Sequence, residues 1–312
     1  MECRSTYLFH RVKVKFHHGS QRLILSTLMA ETSIARIDLL IDSDEEDCHS
    51  ERRAKVRKNS IVLSIEHCTT TAVSDVGLQV WKGAFLLSDY LISIRDELSM
   101  YLIVELGAGC GLTSSVLALI RHRGCYVTDF RDDILDLALH NLHRNQHLIH
   151  SSPFGCSELS PMFVRKLDWF EATSGVEFQQ DSGGYQWSEE DNSQLKDSKR
   201  VFIAADVIYD DILTEALFLK LSHLMKENEK LILTLEKRFN YTLANQAITA
   251  TGYELFLYLV NASETATLSS PQVSKYIKKF QGQKIDISKV QQRLLGYERC
   301  PNLELWEIIC IE

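Results

Sequence analysis

Residues 101–111 read Tyr-Leu-Ile-Val-Glu-Leu-Gly-Ala-Gly-Cys-Gly. The apolar run Tyr101 to Leu106 predicts a buried strand, and the three alternating glycines Gly107, Gly109 and Gly111 follow it directly. Leu112 onward has helical character as far as Arg121. Glycines at the carboxyl end of a strand let the backbone turn sharply and approach a ligand closely. The spacing is G-x-G-x-G behind Glu105, with Leu112 where a dinucleotide site would place its third glycine. A carboxylate beside a compact glycine turn suits a cationic nucleotide without phosphates, whereas a pyrophosphate favours a basic or amide-lined cradle.

Outward from this segment, strands and helices alternate. Strands are predicted at Ile61–Ile65 (a lead-in), Cys125–Thr128, Phe163–Leu167, Val201–Ala205 and Leu231–Leu235. Helices are predicted at Val80–Leu91, Asp132–His147 and Leu213–Lys226, and from Tyr241 towards Val260. Two terminal runs, Gln292–Glu298 and Leu303–Ile311, flank a Cys-Pro-Asn turn and predict an antiparallel edge hairpin. The fold class that results is α/β, a Rossmann-like doubly wound seven-stranded sheet, mostly parallel, with an antiparallel C-terminal hairpin and an N-terminal extension. The polar stretches Ser151–Pro161 and Thr173–Lys199 read as inserted loops.

The extension, residues 1–60, differs in character from the domain at 61–312. A loose hairpin pattern spans Tyr7 to Leu25, then an acidic run, Asp42–Asp47, meets a basic run, Arg52–Lys58. The plain reading of the charged runs is a solvated linker, and the sharper one a nuclear-import patch. Apolar residues are 45% of the 312, enough for a full core, and no apolar run approaches the roughly 18 residues that would span a bilayer. Eight scattered cysteines without a C-x-x-C pair argue for a reducing compartment and against zinc. A net charge of −8 disfavours direct nucleic-acid binding and suits a basic partner.

In an open α/β sheet, ligands bind beyond the carboxyl ends of the strands. Reading those ends in turn produces a site. Glu105 and the glycines come first. Asp129, about 20 residues after Gly109, stands where a carboxylate meets ribose hydroxyls. Asp168 and Trp169 follow, an acceptor for an adenine amino group and an indole to pack on its ring. Asp206 and Tyr209 come last and face the reactive end. Singly, each has a plainer reading: Asp129 and Asp206 as helix caps, Asp168-Trp169 as a turn with a core aromatic, Tyr209 as packing. Four strand ends in agreement outweigh those readings and point to S-adenosyl-L-methionine. His140, His143, His147 and His150 share a helix flank with no converging carboxylate or thiol, so no metal site is assigned. Cys110 and Cys125 read as small core residues.

These residues resemble the seven-β-strand (class I) protein lysine methyltransferases of the methyltransferase-like family. The matching stretches are Val76–Gly83, Glu105–Gly111, Thr128-Asp129 with Asn141 and Asn145, and Leu167-Asp168-Trp169. They continue with Ala204–Tyr209, Leu235–Arg238, Tyr297-Glu298-Arg299 and Leu305-Trp306. The most specific marks are the D-x-x-Y of Asp206 and Tyr209 and the Glu-Lys-Arg at 236–238. The resemblance implies methyl transfer to a lysine amine of a protein substrate. It implies that Trp81, Glu105, Gly107, Gly109, Gly111, Asp129, Asp168 and Trp169 surround the cofactor, and that Asp206 and Tyr209 line the lysine channel. It further implies a nuclear DNA/RNA-binding protein as substrate, chaperones as further partners, and residence in the nucleus with access to the cytoplasm. A cofactor-binding interaction module without catalysis is the alternative from another class.

Overall fold

The computed structural model describes residues 32–41, 60–69, 73–154, 160–171, 184–242, 247–261 and 279–311. The expected hairpin at Tyr7–Leu25 and both charged runs lie outside the described residues. In chain order the elements begin with β1 (Thr32–Leu40), β2 (Ser60–Cys68) and a 3-10 segment, Val73–Leu78. Helices α1 (Lys82–Ser93) and α2 (Arg95–Leu98), strand β3 (Leu102–Leu106), α3 (Leu112–Leu117), β4 (Gly124–Asp129) and α4 (Asp132–Asn145) follow. Then come β5 (Met162–Lys166), α5 (Glu189–Asp197), β6 (Arg200–Ala205), α6 (Asp211–Leu224) and β7 (Lys230–Glu236). The last group is β8 (Asn240–Thr242), β9 (Ala247–Thr249), α7 (Thr251–Leu259), β10 (Phe280–Ile285) and β11 (Leu303–Cys310).

Seven strands form one sheet in the order β10-β11-β7-β6-β3-β4-β5. Strands β5, β4, β3, β6 and β7 are mutually parallel, and β11 runs antiparallel to both its neighbours. The expected α/β architecture is the one observed. Order reverses at β3, which pairs with β4 on one side and β6 on the other, so the crevice for a ligand opens above β3.

Side-chain alternation along β3 divides the core. Leu102, Val104 and Leu106 join the apolar layer that includes Phe202, Phe218, Phe256 and Trp306, whereas Ile103 joins the opposite layer with Leu87, Val116 and Leu135. Glu105 shares the face of Ile103, which aims a carboxyl group at the N-terminal turn of α3. This parity is why an acid can sit at the end of an otherwise apolar strand.

Five expectations need correction, four of them in strand pairing and loop content and the fifth in the length of α3. The strand at Ile61–Ile65 exists, as part of β2, yet it pairs with β1 in a separate two-stranded sheet. That sheet docks on α4, where Asn141 and Asn145 act as a substitute strand. Their amides accept from the backbone of Glu66 and Ser64 (2.8 Å each) and donate to the carbonyls of the same residues. The partner of β11 is β10, not Gln292–Glu298. That run is an irregular strap instead, because buried Asp89 draws in the amides of Arg293 and Leu294 and the hydroxyl of Tyr297. The helix expected from Tyr241 covers only Thr251–Leu259. The preceding residues pair as Asn240↔Thr249, Tyr241↔Ile248 and Thr242↔Ala247, in keeping with their β-branched content. Finally, α5 interrupts the expected loop Thr173–Lys199. Its start carries a capping box, Ser188 with Asp191, a signature readable from the sequence.

Helix α3 is shorter than the run to Arg121. After Leu117 the ladder tightens to three-residue bonds, Leu119 N–H to Val116 O and Ile120 N–H to Leu117 O.

Candidate active site

A cavity of about 370 Å³ opens over the carboxyl ends of β3, β4 and β6. Its wall includes Trp81, Glu105, Gly107, Gly109, Asp129, Asp168, Trp169, Asp206 and Tyr209. Nine of the ten expected site residues thus converge, although they come from positions 81 to 209. Gly111 is the exception and does not belong to the lining. It starts α3 at φ 78°, where a Cβ would stand 3.1 Å from the Ala138 backbone, so it serves the close packing of α3 on α4.

The glycine turn is held from below and from above. Asp129 accepts from Gly109 N–H (3.0 Å) through one oxygen and from Phe130 N–H (2.8 Å) through the other. Over the turn runs the 3-10 segment Val73–Leu78, whose Gly77 carbonyl lies 3.0 Å from where a Gly109 Cβ would sit. Gly109 also has φ 55°, so any larger residue meets both strain and a clash. The segment is pinned by an Asp75–Arg131 ion pair (2.7 Å) and by the Trp81 indole N–H donating to Val76 O (2.9 Å).

Burial shapes the acids. Glu105 is enclosed and accepts from the Ser114 hydroxyl; desolvation pushes its pKa up to about 8, with nearby Asp129 adding to the rise. Desolvation lifts Asp129 to about 6 against the amides that favour its charge. Glu105 therefore carries its proton near neutrality in the free protein. A cation in the cavity favours the ionised form.

The linkage has a definite sign. Native Glu105 holds a proton that the unfolded chain releases near the ordinary value of 4.5, so its stabilisation is full below that pH and is lost as pH rises through about 8. Glu105→Gln is expected to flatten this decline. Melting temperatures compared between about pH 6 and about pH 9 should fall less for the variant than for the parent. Equal slopes would remove Glu105 as the source.

Asp206 has φ 56° and is nearly fully buried. One oxygen accepts from Gly83 N–H in the first turn of α1 (2.6 Å), and the other from Glu236 N–H at the end of β7 (2.8 Å). Desolvation raises its pKa while those two amides oppose the rise. A Cβ on Gly83 would meet the carboxylate at 2.6 Å, so glycine at 83 is what lets acid and helix meet. Tyr209 is half-buried beside the mouth, its phenol pKa raised by burial. Asp168 accepts from Phe170 N–H (2.9 Å). The Trp169 ring edge packs 3.5 Å from the position of a Gly107 Cβ.

Beyond those nine, the wall includes Gly77 of the 3-10 segment, Ala205 at the end of β6, and Arg238 just past β7. All three fall in stretches that carry the family resemblance, Val76–Gly83, Ala204–Tyr209 and Leu235–Arg238, which by themselves give these residues no site role. His140 lies 3.2 Å from Glu66 on β2 and beside Arg144. Cys110 and Cys125 are buried in the core, and desolvation pushes the Cys110 thiol up to about 12.

The donor set fits a sulfonium nucleoside. Four carboxyl groups and aromatic walls line the cavity, Arg238 is the single Lys or Arg among the described lining residues, and the glycine turn presents backbone where a phosphate-free ligand can lie close. Trp81, Glu105, Gly107, Gly109, Asp129, Asp168 and Trp169 are the residues that would hold it.

Comparison with known proteins is consistent with this. Residues 57–182 match the family described as lysine methyltransferase. The chain is 35% identical over 276 residues to methyltransferase-like protein 22 of Mus musculus, covering 87% of this chain and 63% of that protein. It is 35% identical over 251 residues to the Homo sapiens protein of that name, covering 80% and 57% respectively. A shorter match, 36% over 64 residues, covers 20% of this chain and 23% of a Neurospora crassa protein named protein N-terminal and lysine N-methyltransferase efm7. The chain spans about three fifths of the length of the first two relatives (63% and 57%).

Proposed function

We propose that this chain transfers a methyl group from S-adenosyl-L-methionine to a lysine amine of a protein, a reading supported by the match of residues 57–182 to the family described as lysine methyltransferase. The observation that carries this reading is the convergence of Glu105, Asp129, Asp168 and Asp206 with Trp81, Trp169 and Tyr209 on one cavity. In this proposal residues 61–312 are the class I methyltransferase domain and residues 1–60 an extension.

The cofactor, when bound, supplies an electrophilic methyl carbon on a positively charged sulfur. The chain has three tasks. Asp129, which holds the glycine turn, would accept from the ribose hydroxyls, and Trp169 and Asp168 would hold the adenine, one by packing and the other as an acceptor for its amino group. Tyr209 and Trp81 wall the channel and exclude water, which favours the neutral form of an incoming lysine that has lost its proton to solvent. Asp206 acts as a positioning residue, because its two oxygens join backbone amides of two different elements. Its bonds tie the start of α1, and with it Trp81, to the end of β7.

A protein acceptor suits the mouth. Phe130 and Phe170 line the cavity yet stay exposed, and exposed Ile212 and Phe239 adjoin lining residues Leu213 and Arg238. Apolar side chains grouped at a rim mark a docking surface for a macromolecule. We propose further that the acceptor is a nuclear DNA/RNA-binding protein, that chaperones are additional partners, and that the enzyme works in the nucleus with access to the cytoplasm. The net charge of −8 supports a basic partner.

Calorimetry with S-adenosylmethionine, followed by incubation with radiolabelled cofactor and a nuclear extract, tests the reading. Binding heat and label on lysine are expected. No heat sinks the proposal; heat without protein labelling transfers it to a cofactor-binding interaction module. Mass spectrometry of methyllysine in cells lacking the protein would then name the substrate.

A further inference from the structure

The cavity mouth already holds a cation. The guanidinium carbon of Arg238 lies 4.2 Å from the centre of the Trp81 ring and 5.4 Å from that of Tyr209. Both distances are within the range of attraction between a cation and an aromatic face. Both rings belong to the wall of the proposed lysine channel. Among the described residues Arg238 forms no ion pair, although Glu236 is two residues away and pairs with Lys82 instead (2.8 Å). The two rings hold the guanidinium by direct contact, and the charges of nearby Asp206 and Glu236 attract it over a longer range.

The backbone beneath Arg238 is fastened on its N-terminal side. Glu236 N–H bonds Asp206, Lys237 N–H donates to Asn302 O (2.9 Å), and the Lys237 ammonium pairs with buried Glu304 (2.9 Å). The half-buried side chain of Arg238 can thus move while its anchor stays. A slot between two aromatic rings that accepts a guanidinium has the chemistry to accept an alkylammonium, the form in which a lysine arrives before it loses its proton to solvent, since both are cations on a long apolar stem.

We infer that Arg238 is an internal plug: it occupies the slot between Trp81 and Tyr209 until the acceptor lysine displaces it. The inference rests on the methyltransferase reading and adds a regulatory element to that site. Arg238 contributes competition for the slot, so a substrate must bring enough contact at the rim to expel it. Segments that present a lysine without docking on Phe130, Phe170 or Phe239 are then poor acceptors.

The test uses n-butylammonium as a stand-in for the lysine side chain. It is titrated into the full chain and into Arg238→Gln, and the indole N–H resonance of Trp81 is followed in protein labelled with ¹⁵N at tryptophan. Trp81→Phe identifies the resonance. Removing the plug should tighten n-butylammonium binding by about fivefold, the scale of one cation–aromatic contact, and Tyr209→Ala added to Arg238→Gln should cancel the gain. Unchanged or weaker binding in Arg238→Gln overturns the plug. Calorimetry with S-adenosylmethionine on the same preparations keeps the two failures apart. Intact cofactor binding with no gain for n-butylammonium sinks the plug alone, and absent cofactor binding in the parent sinks the reading beneath it.

Discussion

Asp206→Ala is expected to reduce kcat/KM by at least about a hundredfold, the penalty for displacing a site element by an ångström. The same change should destabilise the fold by about 3 kcal/mol, because two buried amides lose a charged acceptor. The donors left behind are Gly83 N–H in the first turn of α1 and Glu236 N–H at the end of β7. Alanine also inherits a backbone at φ 56° that disfavours it. Asp206→Asn separates the contributions. Asparagine tolerates that backbone and keeps one acceptor oxygen, so its melting temperature should fall between those of the parent and the alanine variant. Tyr209→Phe, by contrast, should leave stability within about 0.5 kcal/mol, as expected for a side chain with no buried partner at stake. Thermal melts and initial rates on the three variants decide. An Asp206→Ala protein with parental stability and rate would show that the clamp does not organise the site.

Asp129→Ala should weaken S-adenosylmethionine by at least about a hundredfold. Two charge-assisted hydrogen bonds to a diol contribute roughly 1.5–3 kcal/mol each, and each 1.4 kcal/mol is a factor of about ten. The variant also frees Gly109 N–H, so the turn loses its support from below. Affinity of the parent should fall as pH drops through about 6, because protonation of Asp129 removes an acceptor. Isothermal titration at two pH values checks both statements. A loss below about tenfold in the alanine variant would move the ribose contact elsewhere.

Strand ends were legible because each is a local pattern. A mostly apolar run of four to six residues followed by glycine or a carboxylate marks β3, β4 and β6 without knowledge of their neighbours, and the rule that ligands sit at such ends then assembles the site. Gly111 shows a related limit. Local spacing shows that a glycine is required and does not show whether a ligand or a helix crowds it. The strap at Gln292–Glu298 has apolar residues of strand type, yet Asp89 lies some 200 residues earlier (204 before Arg293), and its bonds hold the strap's course. Asp206 illustrates the same limit: its type and position were readable, while its two amide partners come from Gly83 and Glu236.

Hydrophobic periodicity, glycine spacing and acid placement in the chain were sufficient to establish an α/β sheet with a ligand crevice above β3, since each depends on neighbours a few residues apart. Which carboxyl groups are free to meet a ligand and which hold backbone, where β1 and β2 dock, and that Arg238 rests between two rings were decided by tertiary packing alone. The physical reason is that desolvation and hydrogen-bond pairing are properties of a place in space, filled by residues that the chain brings together from far apart.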